Sequence, residues 1–427
     1  MVRALACLAA ATAAVTALAT TAAGAPPSII RLPRGFRPEG IVALTPPYFA
    51  VGSLAGDGRI YTFNAASGTG AEVFNTPNQT IVGMSYDPFS GVLWVAGGPV
   101  GGNVLALSDG GATLLATIDV PTDGNTAPAF LNDAIVVPRA GAVAVTDSVN
   151  AALYVVPTAA ACGPPARGLA AAVATRARRV PLTGDWVQVE GFNANGIEYS
   201  RRARSLVVVQ SVTGLLFAVD WDGAAKTIPV KGGPLTFGDG LLFDAVDPAV
   251  LYVVRNRLQV IAVVRFEDAA TLTDGARVER NITNADWATP TTVAQAADGS
   301  LLTVDSQFGA ADPAEADYFV YRTPAATGGE SKKGDPRVCG RRRHGWRVRT
   351  RGSQGVSSVV AASISADAVN TPGWCHRRQA RVWEPHEAPE VGESSGVVRL
   401  TLRILLMVSS TAREVKRRWE RAVPKAV

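Results

Sequence analysis

The sequence predicts an all-β protein, a six-bladed β-propeller of four-stranded blades. Six stretches of the chain open in the same way, with a short turn, an apolar strand, a break at Asp, Pro or Gly, and a second apolar strand. Their starts lie roughly 45 to 60 residues apart, a spacing typical of propeller blades. The six starts are PEGIVAL (38–44), VGMSYD (82–87), LNDAIVV (131–137), ANGIEYS (194–200), GDGLLFD (238–244) and TPTTVAQ (289–295).

Further strands follow each of these starts. The second strand is more apolar than the first, as in GVLWVAG (91–97) and SLVVVQS (205–211), and a third follows it, as in GLLFAVD (214–220). Such runs of β-branched and aromatic residues, bounded by Gly, Asp and Pro, are strand signals. A fourth strand, as in RRVPLT (178–183), is less regular, which is expected at the exposed rim of a blade.

The sixth unit has no outer strand of its own after Tyr321. The segment SIIRLP (28–33), just before the first unit, is able to supply it and so to close the ring with the N-terminal strand. Closure of this kind removes the open sheet edges that would otherwise invite aggregation. It predicts that the propeller spans residues 26–326.

The charge of the chain is divided unevenly between the propeller and the tail. Residues 330–427 hold 20 of the 41 Lys and Arg residues but 9 of the 36 Asp and Glu residues. The first 329 residues therefore hold 21 basic and 27 acidic residues, a net charge of −6, against +11 in the tail. The overall charge of +5 is thus a property of the tail, and we expect the propeller to bind no nucleic acid.

The N-terminus has the pattern of a secretory signal peptide. Arg3 precedes a run rich in Ala, Val and Leu that ends in small residues just before Pro26. A membrane anchor or a buried helix are the alternatives, but the run is short and rich in Ala. We therefore expect residues 1–25 to be a signal peptide, the mature protein to be secreted and extracellular, and no later segment to cross a membrane.

Two further features bear on a secreted propeller. Cys162 is the only cysteine of the propeller, so no disulfide forms within it, and its stability must come from a large apolar core.

Glycosylation sequons occur at Asn78 (NQT) and Asn281 (NIT), and in a eukaryotic host we expect both on surface loops.

The strand pattern is lost after residue 326. Residues 327–427 are basic and have little strand or helix rhythm until 397–423, which reads as one amphipathic helix. This tail is either a membrane-surface or nucleic-acid tether, or a disordered extension or the product of a wrongly drawn gene end. The abrupt loss of pattern where the ring closes favours the second group. Within the propeller, only 166–179 has a helical pattern, and we expect a surface insertion there.

Polar residues recur at the starts of the units, where propeller blades converge on a central channel. They are Glu39, Asn132, Asn195 and Asp239. Each is explained singly by turn chemistry or surface exposure, but their recurrence at one phase of four repeats is harder to explain in that way. No His occurs before residue 344, so a site built from them would offer oxygen only, which favours calcium over zinc or copper.

The motifs PEGI, LND followed by AVAVTDS, ANGIEYS and GDGLLFD resemble the senescence marker protein / gluconolactonase / luciferin-regenerating enzyme family. The resemblance covers about residues 30–325 and implies a single divalent cation at the channel mouth and lactone hydrolysis. It places Glu39, Asn195 and Asp239 on the metal ligands, Asn132 beside the metal and substrate, and Asp239 as the general base. The sequence departs from the family in NDA (132–134) and GDG (238–240), where the family has NDG and PDG, and no lactone-binding Arg is assigned.

The predicted activity is that of a secreted, metal-dependent hydrolase of a lactone or ester, acting as a monomer. A bound cation would polarise the carbonyl group, and Asp239 would take a proton from the attacking water. The alternative is a non-catalytic ligand- or protein-binding propeller, or a strictosidine-synthase-like one, without metal chemistry. A paraoxonase-like or serine-hydrolase mechanism is disfavoured because both depend on a histidine that the propeller lacks.

Overall fold

The computed structural model describes residues 25–158 and 176–325, which form a ring of six antiparallel sheets with short 3-10 turns between some strands. The predicted six-bladed propeller is confirmed. Each blade starts with an innermost strand and proceeds outwards, so that sequence order is also the order from the channel to the rim. This order brings the six predicted starts to the channel.

The first three blades contain the strands β2 to β13. The first has β2 (Pro38–Ala43), β3 (Tyr48–Ser53), β4 (Ile60–Asn64) and β5 (Gly70–Phe74). The second has β6 (Met84–Asp87), β7 (Val92–Ala96), β8 (Asn103–Ser108) and β9 (Thr113–Asp119). The third has β10 (Leu131–Val137), β11 (Ala142–Asp147), β12 (Ala152–Pro157) and β13 (Arg178–Pro181).

The last three blades contain the remaining strands. The fourth has β15 (Ala194–Ser200), β16 (Ser205–Gln210), β17 (Leu215–Val219) and β18 (Ala224–Ile228), with β14 (Thr183–Gly184) at its edge. The fifth has β20 (Gly238–Phe243), β21 (Val250–Arg255), β22 (Val260–Phe266) and β23 (Ala276–Thr283), with β19 (Val230–Lys231) at its edge. The sixth has β24 (Pro290–Gln295), β25 (Leu301–Asp305), β26 (Phe319–Thr323) and β1 (Ile29–Arg31).

The ring closes as the sequence predicted, because β1 pairs antiparallel with β26 as the outer strand of the sixth blade. Ile30 lies opposite Val320 and is only 2% exposed. The side chain of Arg322 strengthens this closure by donating hydrogen bonds to the carbonyl oxygens of Pro27 (3.1 Å) and Ala65 (2.6 Å). The N-terminal segment is therefore a structural part of the last blade.

The core lies between the blades. Each pair of neighbouring blades shares one buried apolar cluster, including the pair formed by the sixth and first blades. Alternate residues of a strand such as Ser205–Gln210 therefore pack against different neighbours, and almost the whole strand is buried. This explains why the second strand of each unit reads as continuously apolar, since both of its faces are covered.

Three sequence-based expectations need correction or fall outside the described residues. The fourth and fifth blades have five strands, since β14 and β19 pair in parallel with β18 and β23. The predicted helix 166–179 falls mostly outside the described residues, and its last residues, from Arg178, belong to β13. The signal peptide, the tail and Cys162 also lie outside them, so the domain boundaries stay predictions.

The two glycosylation sequons lie in different settings. Asn78 is exposed in a turn, with a left-handed φ of 58°. Asn281 is also exposed, but it belongs to β23, the fourth strand of the fifth blade. The expectation of a surface loop is therefore wrong for Asn281. The residues around it form a strand near the rim of the blade, where polar side chains are exposed.

Candidate functional site

A β-bulge recurs near the start of the innermost strand in five of the six blades. At each bulge two residues of the inner strand lie opposite one residue of the next strand, and the ladder resumes beyond them. The bulged pairs are Glu39–Gly40, Asn132–Asp133, Asn195–Gly196, Asp239–Gly240 and Thr291–Thr292. Because a bulge bends the strand and re-aims its side chains, the same feature positions a side chain at the channel mouth in these five blades.

The four sequence-predicted site residues all occupy the first position of this bulge. Glu39, Asn132, Asn195 and Asp239 are between 4% and 6% exposed, so each is buried despite its polar side chain. The same position in the sixth blade is Thr291. The second blade has no such bulge in its inner strand, which begins after Gly83.

Hydrogen bonds join the bulge of one blade to the next. Gly83 N donates to the carbonyl oxygen of Asn132 (2.7 Å), and Thr146 Oγ1 donates to that of Asn195 (2.7 Å). Thr291 Oγ1 donates to the carbonyl oxygen of Glu39 (2.7 Å), which links the last blade to the first. These bonds fix the backbone at the mouth, so the positions of the polar side chains are set by the ring as a whole.

Three of the bulges have glycine in their second position, where the blades approach each other most closely. A Cβ on Gly40 would overlap the carbonyl oxygen of Val82, and one on Gly196 would overlap that of Asp239. A Cβ on Gly240 would come within 2.5 Å of the side chain of Thr292. The glycines therefore let neighbouring inner strands come close enough to narrow the channel mouth.

The carboxyl groups at the mouth are close enough to influence one another. Burial raises the pKa of Glu39 well above its usual value, and the nearby charges of Asp239 and Asp133 raise it further. Burial also raises the pKa of Asp239 to about 7, although a hydrogen bond from Asn256 opposes this. Within the described part of the chain, no basic side chain contributes to the pKa of either group. The mouth is therefore a buried acidic centre.

Asp239 and Asn195 meet at this centre. Asn256 Nδ2 donates to Asp239 Oδ2 (2.7 Å), and the side chain of Asn195 also lowers the pKa of Asp239 by hydrogen bonding. Asn195 Oδ1 is buried and accepts no hydrogen bond from any described residue. An unpaired buried amide oxygen costs about 1–3 kcal/mol unless a donor or a cation meets it. An amide oxygen next to the carboxyl group of Asp239 is a ligand type that calcium accepts.

Asn132 lies on the other side of the centre. Its Nδ2 donates to Ser148 Oγ (3.0 Å), and Ser148 Oγ in turn donates to the carbonyl oxygen of Ala194 (2.8 Å). Asn132 is thus oriented by the neighbouring blade that carries Asn195. The four residues that the sequence singled out thus share one position in their inner strands; Asp239 interacts with Glu39 and Asn195, and Asn132 is linked to the backbone beside Asn195 through Ser148.

Two further acidic residues lie close to the predicted set, since the charge of Asp133 acts on Glu39, Asp239 and Glu198. Asp133 Oδ2 accepts a hydrogen bond from Ile197 N (3.1 Å), yet burial raises the pKa of Asp133 to about 7. Burial raises the pKa of Glu198 to about 8, and the charge of Asp133 adds to this effect. The sequence analysis assigned neither Asp133 nor Glu198 to the site. The signal that pointed to Asp133 was its place directly after Asn132.

A cation at the mouth would need amide as well as carboxylate ligands. No three His, Cys, Asp or Glu side chains within residues 25–158 and 176–325 form a ready-made group for a metal ion. The predicted set contains only two carboxylates, Glu39 and Asp239, so its coordinating capacity rests also on Asn132 and Asn195. This composition fits calcium, which accepts amide oxygens, and does not fit zinc.

Comparisons with known proteins support the fold alone. The chain is similar to the crystal structure of the major Malassezia sympodialis allergen Mala s 1, with 15% identity and a TM-score of 0.51 over 70% of this chain and 96% of that one. A luciferin-regenerating enzyme is similar at 12% identity and a TM-score of 0.48, covering 70% of this chain and 95% of its own. A streptogramin B lyase is similar at 11% identity and a TM-score of 0.44, covering 69% of this chain and 97% of its own.

No protein-family profile and no curated protein sequence matches the chain. The resemblance carried by the short motifs at the blade starts therefore stays a prediction at the level of family. Within the described residues, no helix has the length and apolar character needed to cross a membrane. What the comparisons and the structure together establish is a six-bladed propeller whose inner strands gather polar residues at one end of the channel.

Proposed function

We propose that the channel mouth binds one calcium ion and that the protein hydrolyses a lactone or ester there. The observation that carries the proposal is the unpaired, buried Oδ1 of Asn195, whose side chain meets Asp239, in a centre that also holds Glu39 and where no basic side chain raises or lowers the pKa of these acids. Buried carboxylates without a cationic partner are costly, and a bound cation would remove that cost.

The ligands would be Glu39, Asn195 and Asp239, with Asn132 beside them. The three ligands come from three different blades, and Asn132 comes from a fourth. The ring therefore pre-organises their carboxylate and amide oxygens before any ion binds. A calcium ion takes six to eight oxygens, which leaves positions for water and for a substrate oxygen. The ion would polarise the substrate carbonyl and lower the pKa of a bound water.

The chain's own residues would complete the reaction. Asp239 accepts the proton of the attacking water, whose oxygen forms a bond to the carbonyl carbon. The bond between this carbon and the ester oxygen then breaks, and the proton passes from Asp239 to the departing oxygen, giving an acid and an alcohol. Asn256, which donates to Asp239 Oδ2, holds that carboxylate in place. Asn132, oriented by Ser148, directs its amide towards the substrate.

Calcium binding is tested by calorimetric titration of the chelator-treated full chain. We expect one site in the unsubstituted protein, and a loss of affinity of at least about 100-fold in Glu39→Gln and in Asp239→Asn, because removing a ligand costs more than removing an outer partner. Asp87→Asn is the matched control, since Asp87 is a buried carboxylate (7% exposed) that caps a turn at the opposite end of an inner strand. Unchanged affinity in both site variants would refute the proposed site.

Hydrolysis is tested separately, on lactones and simple esters with the calcium-loaded full chain. We expect Asp239→Asn to abolish turnover and Asp87→Asn to retain it. Asn256→Ala should lower kcat more than calcium affinity, because Asn256 holds the base. Calcium binding without turnover of any lactone or ester would contradict the hydrolase and point to the ligand-binding propeller.

A further inference from the structure

Aromatic residues precede the bulged residues in three of the blades. Phe130, Phe192 and Phe237 come two or three residues before Asn132, Asn195 and Asp239, in three consecutive blades. We call these three side chains the aromatic wall. Their position directly before the bulged residues places them at the end of the channel where the acidic centre lies, rather than at the opposite end.

The members of the aromatic wall are held against their neighbours but keep accessible surface. The rings of Phe130 and Phe192 meet edge to face, with centroids 5.2 Å apart. Phe192 is 48% exposed, and Val212, whose amide donates to the carbonyl oxygen of Phe192, is 43% exposed. The guanidinium of Arg257 lies 5.4 Å from the ring centroid of Phe237. The wall therefore presents the exposed aromatic surface of Phe192 against Phe130, while the guanidinium of Arg257 lies over Phe237.

The backbone of the wall offers little to a polar ligand. Phe130 N donates to Asp147 Oδ1, and the carbonyl oxygen of Phe130 accepts from Ser148 N. Phe237 N donates to the carbonyl oxygen of Ser211, and its own carbonyl oxygen accepts from Asn256 N. These groups are already satisfied within the protein. A ligand lying against this half of the mouth would meet mainly ring and methyl surface, which a polyhydroxylated sugar could not satisfy.

The other half of the mouth differs in chemistry. The residue that corresponds to Phe237 in the first blade is Arg37, which is exposed, and both have left-handed φ values, 54° and 59°. In the sixth blade the corresponding residue is Thr289, whose amide donates to Asp305 Oδ1. The residues that precede the bulge are thus aromatic in the third, fourth and fifth blades and charged or polar in the first and sixth. Such an asymmetric rim orients a ligand that has one apolar end.

We infer that the site takes a carbonyl compound carrying a flat apolar group, such as an aryl-substituted lactone or an aryl ester, rather than a sugar lactone. This inference rests on the proposed function, since it assumes that a carbonyl group lies at the acidic centre. The apolar group packs on the aromatic wall while the carbonyl reaches the residues at the bulges. An aromatic ring buried in this way contributes through its area and through edge-to-face contacts with Phe130 and Phe192.

Lactams test this inference without depending on turnover, because the amide analogue of a lactone resists hydrolysis. We would measure by calorimetry, with calcium present, the binding of γ-butyrolactam, its phenyl-substituted derivative and its polyhydroxylated derivative to the full chain. We expect the phenyl lactam to bind at least about tenfold more tightly than the parent compound. Phe192→Ala should remove about fivefold to tenfold of this gain, and Phe192→Leu should retain most of it, because leucine keeps apolar surface there.

Phe89→Ala is the control for a general loss of apolar surface, since Phe89 is 76% exposed in the turn at the opposite end of the channel. Phenyl lactam binding that Phe192→Ala weakens and Phe89→Ala does not would support the inference, even if no lactone or ester is hydrolysed. Equal binding of the phenyl and parent lactams, or tighter binding of the hydroxylated one, would overturn it. Absence of lactam binding by a protein that binds calcium would also overturn it, while the cation site would stand.

Discussion

Glu198 is a carboxyl group whose ionisation the fold opposes. It lies on the inner strand β15, where burial raises its pKa to about 8 although Tyr199 N donates a hydrogen bond to Glu198 Oε2 (3.0 Å). A carboxyl group with a higher pKa in the folded than in the unfolded protein binds more protons when folded. Its contribution to stability is therefore complete below the unfolded pKa of about 4.5 and is lost as the pH rises through about 8.

We predict that Glu198→Gln stabilises the calcium-free protein at high pH only. Glutamine keeps the shape of the side chain but has no charge to bury, so the free energy of unfolding should rise by at least about 1 kcal/mol at pH 9 and change little at pH 5. Urea denaturation at both pH values, with a chelator present, measures the difference. Glu190→Gln, on an exposed loop, is the control and should be neutral at both. An equal effect of Glu198→Gln at pH 5 and pH 9 would contradict the account.

The sequence identified site residues where they recur at the same position of several repeats, and missed those that do not recur. Glu39, Asn132, Asn195 and Asp239 were found because each opens a repeat at the same phase. Glu198 was missed because strand alternation assigns such a residue to solvent, whereas both faces of an inner propeller strand are covered by neighbouring blades.

At the scale of the strand, the bulge is the element that builds the site, and the sequence did not predict it. A bulge adds one residue to an otherwise alternating strand, and a short apolar strand has too few residues to show the change of phase. The glycines after Glu39, Asn195 and Asp239 were visible in the sequence, but no close approach between blades was inferred from them. Their actual role is close approach, since none of Gly40, Gly196 and Gly240 has a positive φ.

We predict that Gly196→Ala disturbs both folding and the site. The new Cβ would overlap the carbonyl oxygen of Asp239, so the fourth and fifth blades must separate. Overpacking of this kind costs about 1–3 kcal/mol, and calcium affinity should fall with it because Asn195 and Asp239 move apart. Gly309→Ala is the matched control, since a Cβ there meets no atom within 4 Å and its φ is not positive. Denaturation midpoints and calorimetry measure both effects; a Gly196→Ala protein as stable as the control would refute the close contact.

At the scale of the whole molecule, the sequence predicted the closure of the ring because the sixth unit lacked an outer strand and SIIRLP (28–33) had no other partner. The pairing of β1 with β26 confirms this. The two short parallel strands β14 and β19 were not predicted, because a two-residue strand has no periodicity to detect. Sequence periodicity therefore predicts the repeated four-stranded blades but not the short extra strands β14 and β19.

The N-terminal strand β1 helps to hold the ring together through the buried side chain of Ile30. Ile30 is 2% exposed and packs in the cluster shared by the sixth and first blades, which includes Phe36 and Val320. Ile30→Ala should lower the free energy of unfolding by about 2–5 kcal/mol, because it removes apolar contacts and leaves a cavity. Ile29→Ala, whose side chain is 47% exposed, should change stability by less than about 0.5 kcal/mol.

Urea denaturation of the two variants, followed by tryptophan fluorescence, separates two views of this strand. If β1 closes the ring, Ile30→Ala lowers the midpoint of a single transition, because loosening the last blade exposes the first to water on one face. If β1 adds little to the stability of the ring, Ile30→Ala and Ile29→Ala shift the denaturation midpoint by similar small amounts. The second result would mean that blades one and six are held together by the contacts of β2 with β24, and that Arg322 and Ile30 only anchor the chain end.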